Sequence, residues 1–84
     1  MLPLSPHAEF EMKRRGISRE AVEEVFHHPE QKIELAGARE IWQNKSGIAG
    51  KIYVVRLVVQ RSPELKIVTV YKSSKIKKYW KENA

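Results

Sequence analysis

Two side chains in this 84-residue chain have the types that metal-independent phosphodiester chemistry needs: His7 and Arg56. Cleaving RNA without a metal requires a group to take the 2′-hydroxyl proton, another to protonate the leaving oxygen, and cations around the phosphate. His7 titrates nearest neutrality and is the natural acid or base. Its plainer reading, which carries more weight, is a residue in the first turn of a helix that bridges to Glu11, four positions on. Arg56 stands alone between Val54 and Val58 in a β-rich run. Its guanidinium fork suits phosphate, and an Arg so placed either lies on an open face or pairs with an acid; the two readings balance. Arg15 is a further phosphate-binding candidate, although Glu11 stands at the right spacing to pair with it instead.

The C-terminal stretch adds charge. Lys75, Lys77, Lys78 and Lys81 interleave with Tyr79 and Trp80. Such a cluster is usually a solvated face, but cations alternating with aromatic rings also suit RNA, whose phosphates need charge and whose bases need stacking. The formal net charge is +6 and the pI about 9.8. Nucleic acid is therefore the first expected partner and an acidic protein the second. Residues 18–30 are acidic on balance while the last stretch is strongly basic, and that segregation argues for a binding face. The adjacent His27 and His28 point in different directions on a helix, and no ligand set completes them, so neither a metal nor another cofactor is expected. The chain has no cysteine, which excludes disulfides and thiolate metal sites. No apolar run approaches the ~20 residues that cross a bilayer, and Met1–Ser5 lacks the pattern of a signal peptide. A cytoplasmic protein without a membrane partner is the expectation.

These side chains must be held by the stretch from Lys51 to Lys72. It reads as two β-rich runs, Lys51–Gln60 and Lys66–Lys72, joined by Arg61-Ser62-Pro63-Glu64-Leu65 as an antiparallel hairpin. Alternation puts Tyr53, Val55, Leu57 and Val59 on a core face, and Ile52, Val54, Arg56, Val58 and Gln60 on a mixed one. Upstream, Ser5-Pro6 starts a helix that reaches about Arg15 and stops at Gly16. Ala8 and Met12 point inward there, with Phe10 helping from the side. Ser18 caps a second helix over 19–27, with Val22 placed to meet Ile17 and Pro29 ending it. Gln31–Ala36 and Arg39–Lys45 read as strands, Ser46–Gly50 as a loop, and Lys75–Glu82 as a basic helix with Ile76, Tyr79 and Trp80 on one stripe. The expectation is an α+β fold in one domain spanning 1–84. Two N-terminal helices pack on one face of a four-stranded, mainly antiparallel sheet, with a basic C-terminal helix.

The order His7-Ala8, Met12, Arg15-Gly16-Ile17-Ser18, Val22, Pro29 and finally Val68-Thr69-Val70-Tyr71 resembles a small prokaryotic family of unknown function. Its members begin near S-x-H-A-x-x-x-M-x-x-R-G-I-S and end near a V-T-V-Y strand, so the resemblance covers about residues 5–72. That family is similar to the RelE, ParE and BrnT toxins, which implies helices on an antiparallel sheet, ribonuclease activity and an acidic antitoxin as partner. The resemblance also places Tyr71 and Lys72, at the end of the last strand, in the active region; Tyr71 alternatively serves as a core aromatic. The family often has Arg before the Met, where this chain has Glu11; if that Arg belongs to a phosphate or catalytic site, this chain has lost it or replaced it. Residues 73–84 extend beyond the resemblance. The leading expectation is a metal-independent endoribonuclease of a toxin–antitoxin system using His7, Arg56, Tyr71 and Lys72. Its rival is a non-catalytic module of the same fold that binds RNA or protein. A third reading is action through an acidic partner, or as a homodimer through exposed strand edges.

Overall fold

The computed structural model describes residues 2–82. Two helices, α1 (Pro6–Arg14) and α2 (Arg19–His27), precede four strands: β1 (Gln31–Leu35), β2 (Arg39–Ile48), β3 (Lys51–Gln60) and β4 (Lys66–Ser73). A single turn of helix, α3 (Ile76–Tyr79), follows. The strands lie in the order β1-β2-β3-β4, every neighbouring pair antiparallel, which gives the α+β architecture expected.

Capping fixes both N-terminal helices. Ser5 Oγ accepts from the Ala8 amide at 3.0 Å, and Ser18 Oγ accepts from Ala21 at 3.1 Å. Gly16, at φ +64°, ends the first helix in the left-handed position that glycine tolerates without a Cβ clash. Ala8, Met12, Ile17, Val22 and Val25 close with Trp42, Val55, Leu57, Val59, Ile67 and Val70 into one core. The helices therefore cover the Val55–Leu57–Val59 face, α1 against β4 and α2 against β2 and β3. Phe10 does not join them; it is 62% exposed on the outer side of α1. Asn44 ties the end of α2 to the sheet: its amide donates to the His28 carbonyl at 3.1 Å and its oxygen accepts from the Glu30 amide.

Three features differ from the sequence expectation. β2 runs on through Ser46–Ile48, because a two-residue turn at Ala49-Gly50 with positive φ at both positions (52° and 78°) suffices to reverse the chain. The expected helix over 75–82 shrinks to Ile76–Tyr79, and Trp80 turns extended at φ −83°, ψ 131°. Side-chain amides from the sheet take the backbone groups of this segment, as described below, so further helix is not needed to satisfy them. The third difference is a bulge between Val58 and Val59 of β3: Val59 pairs with Ile67 but Val58 pairs with Thr69. The extra residue in β4 changes which face each later side chain meets.

Candidate functional site

The bulge decides where Tyr71 goes. Strict alternation from Ile67, a core residue, would turn Tyr71 toward the helices. With one residue inserted, Val70 enters the core beside Leu57 and Tyr71 lies opposite Arg56 on the other face. There the register aligns Gln31 with Gln43, Gln43 with Arg56, and Arg56 with Tyr71, one residue from each strand in order. This polar row crosses the whole sheet on the face away from α1 and α2.

Its members bond in series. Gln43 Nε2 donates to Gln31 Oε1 at 2.7 Å, Arg56 Nε donates to Gln43 Oε1 at 2.8 Å, and Arg56 Nη1 donates to the Tyr71 hydroxyl at 2.7 Å. Gln43 is fully buried and Arg56 is only 9% exposed. What buries them is the strap of residues 74–82, which includes α3. Gln43 Nε2 also donates to the Tyr79 carbonyl at 2.9 Å, Gln31 Nε2 donates to the Lys81 carbonyl at 2.6 Å, and the Lys81 amide returns to Gln31 Oε1 at 3.1 Å. The Tyr79 ring covers the guanidinium, with its centroid 4.4 Å from Arg56 Cζ; the Tyr71 centroid lies at 5.4 Å. Among the described residues no carboxylate comes within ion-pair distance of Arg56. The charge is held by neutral acceptors and aromatic faces.

The four residues expected to act together are divided by the sheet. Arg56 and Tyr71 meet on the far face. Lys72 pairs opposite Val55, on the helix side, with its Nζ 5.0 Å from the Tyr53 centroid. His7 is exposed in the first turn of α1, which packs on that same helix side; it makes no hydrogen bond or ion pair among the described residues, so the expected bridge to Glu11 is absent. Glu11 is instead gripped by two arginines. Arg14 chelates its carboxylate at 2.8 and 3.0 Å and Arg15 Nε adds a bond at 2.9 Å, so Arg15 is engaged as the sequence spacing suggested. These bonds, Arg14's foremost, hold the Glu11 carboxyl below its ordinary range.

Lys75, Lys77, Lys78 and Lys81 are all exposed on the strap. Lys78 Nζ stands 5.3 Å from the Tyr79 centroid, and Lys45 of β2 reaches the Trp80 ring at 4.6 Å. The charge imbalance follows the topology. Only Glu64 and Glu82 of the ten acidic residues lie after position 40, whereas ten of the sixteen Lys and Arg do. No pocket opens anywhere among the described residues, and no helix among them is long and apolar enough to cross a membrane.

Gln31 and Gln43 escaped the sequence reading. The only sign of Gln43 was a polar residue placed mid-strand beside Trp42, and its meaning depends on the register that sets it against Arg56. Comparison with curated proteins and with solved structures found no match. The match to a family covers residues 4–72, ending just past Tyr71 and leaving the strap outside; the chain belongs to the family described as Domain of unknown function (DUF4258).

Proposed function

We propose that this chain is an RNA-binding module with a RelE/BrnT-like arrangement of helices on a sheet, contacting RNA through the strap and the adjoining end of β4. The observation that carries the reading is the pairing of cations with aromatic rings in an acid-poor half of the molecule: Lys45 with Trp80, Lys78 with Tyr79, and Lys75, Lys77 and Lys81 exposed beside them. Phosphates meet the ammonium groups and unstacked bases meet the rings, which suits single-stranded RNA. Binding of a short single-stranded RNA, followed by fluorescence anisotropy over a salt series, tests it. Replacing Lys75, Lys77, Lys78 and Lys81 with Gln should weaken binding and lower the log–log salt slope by as much as ~3, at roughly 0.7 per phosphate contact. Unchanged affinity and slope would return these lysines to the solvated surface. Binding confined to an acidic protein, such as an antitoxin, would replace RNA as the partner.

One observation favours a second reading, metal-independent RNA cleavage. Arg56 Nη1 sits 2.7 Å from the Tyr71 hydroxyl, so a cation and a proton-bearing group share one spot. His7 and Lys72 lie across the sheet and would not share that centre. Cleavage in the presence of chelator that falls roughly 10²–10³-fold in Arg56→Ala, and is kept in His7→Ala, is the expected signature. Wild-type binding without cleavage leaves the binding module alone.

A further inference from the structure

Arg56 carries more donors than its surroundings use. A guanidinium has five N–H groups; Nε–H goes to Gln43 and one Nη1 hydrogen to the Tyr71 hydroxyl. The others meet no acceptor among the described residues. Tyr71 accepts from Arg56 and donates to none of them, so its hydroxyl proton is also free to point outward. A cation this shielded from water is normally matched by a carboxylate, since burial without an opposite charge is costly. Here only amide and phenol oxygens and two ring faces attend it. Donors converging from a planar fork and a hydroxyl fit a multiply charged oxyanion, and Lys45 and Lys78 stand on the neighbouring rings Trp80 and Tyr79 to add to the field.

The strap borders those donors, and they reach water beside it, since no buried side-chain nitrogen or oxygen among the described residues lacks a partner. Its hydrogen bonds to the sheet are few: Tyr79 carbonyl to Gln43, and Lys81 carbonyl and amide to Gln31, with the Tyr79 ring laid on the guanidinium and Ile41 and Val54 buried on the same face. α3 is a single turn, and α1 and α2 lie on the opposite side of the sheet, so this segment can lift without disturbing the core they form. Gln31 holds the strap without touching Arg56.

We propose that Arg56 and Tyr71 form a binding site for one phosphate group, and that the strap narrows it, its backbone crowding the approach while the Tyr79 ring stacks on the guanidinium face. Phosphate affinity is then lower while the strap is in place, and loosening the strap raises it. The phosphate can belong to an RNA backbone or be free in solution, and the inference does not depend on the strap lysines binding RNA.

The test uses the full chain, titrated with inorganic phosphate and followed by the amide signals of Tyr79–Lys81 and the Arg56 Nε–H signal. Gln31→Ala removes two strap bonds and should speed hydrogen exchange at Tyr79–Lys81 and tighten phosphate binding roughly tenfold. Adding Arg56→Lys, which keeps the charge and loses the fork, should abolish that binding while circular dichroism confirms the fold. A short RNA that competes with phosphate identifies the backbone as the source, and one that does not identifies free phosphate. Equal phosphate affinity in wild type and Gln31→Ala would overturn the narrowing strap. Undiminished binding in the Arg56→Lys variant, or acetate binding as tightly as phosphate, would overturn the site. Failure of the RNA-binding reading would show separately, as an unchanged salt slope in the four-lysine variant.

Discussion

Replacing Gln43 with Leu should destabilise the protein far more than the loss of one polar side chain from a sheet surface ordinarily does. Gln43 is fully buried and makes three bonds: it accepts from Arg56 Nε at 2.8 Å and donates to Gln31 Oε1 at 2.7 Å and the Tyr79 carbonyl at 2.9 Å. Leucine nearly matches its volume, so the effect is polar and not steric. A bond to a charged group contributes ~1.5–3 kcal/mol and a neutral one ~0.5–1.5, while the more apolar side chain returns about 1–2. The net loss is about 3 kcal/mol, against a total of roughly 4–13 for a domain of this length. In a thermal melt that is a midpoint lowered by roughly 12–24 °C. The second arm is Arg56→Met in the same background. Most of the loss comes from a guanidinium left without its acceptor, so the double variant should be more stable than the sum of single effects predicts, by ~1.5–3 kcal/mol. Additive single effects, or a neutral Gln43→Leu, would mean that the row is not coupled and that the strap does not shield Arg56 from water.

Three further outcomes follow from local geometry. The Glu11 carboxyl has a folded-state pKa below its ordinary 4.5, so its arginine bonds stabilise the fold above that pH and are lost as pH falls through the lowered value. The stability gap between wild type and Glu11→Gln, measured by urea unfolding, should be full at pH 7 and close on acidification below about 4.5; a constant gap refutes the linkage. Ser5→Ala should cost about 1–2 kcal/mol, toward the upper end for a helix cap, because Ser5 Oγ also donates to the Val68 carbonyl at 2.9 Å and so joins α1 to β4; a thermal melt within error of wild type would reject that double role. Deleting Val68 removes the extra residue of the bulge and leaves a plain ladder in which Ile67 and Val70 still face the core and Tyr71 still faces Arg56. The Arg56 Nε–H shift that marks the row should persist in that variant, and its loss would refute the assigned register.

The sequence showed the frame through signals that act locally. Ser5-Pro6 and Ser18 cap helices wherever the chain goes, and the Val-rich alternation of 51–60 sorts one strand's faces without reference to its neighbours. Arg56 was visible because it interrupts an apolar run. Its partners were not, since Gln31, Gln43 and Tyr71 become neighbours only through cross-strand register, and that depends on a bulge that no residue between Val68 and Val70 announces. The short helix has the same cause. The stripe of Ile76, Tyr79 and Trp80 has the spacing of an amphipathic helix, but glutamine amides some fifty and thirty-six residues earlier compete for its backbone.

The placement of the family boundary gives the far face a physical logic. Gln31, Gln43, Arg56 and Tyr71 all lie within residues 4–72, whereas the strap that covers them lies beyond. Without the strap, the sheet would present a cation, a phenol and two amides to water in one line, beside Ile41 and Val54 of the same face and with no acid to neutralise the charge. With the strap, the same line becomes the means of holding a lysine-rich segment flat against the sheet. The amides take its backbone, the guanidinium takes its Tyr79 ring, and the ammonium groups are left outside. One row of side chains therefore serves both as anchor and as the group the anchor hides. The two roles use different parts of the guanidinium: the Tyr79 ring lies on its face while an anion meets its in-plane N–H donors, so an anion at Arg56 competes only with the bulk of the strap beside those donors.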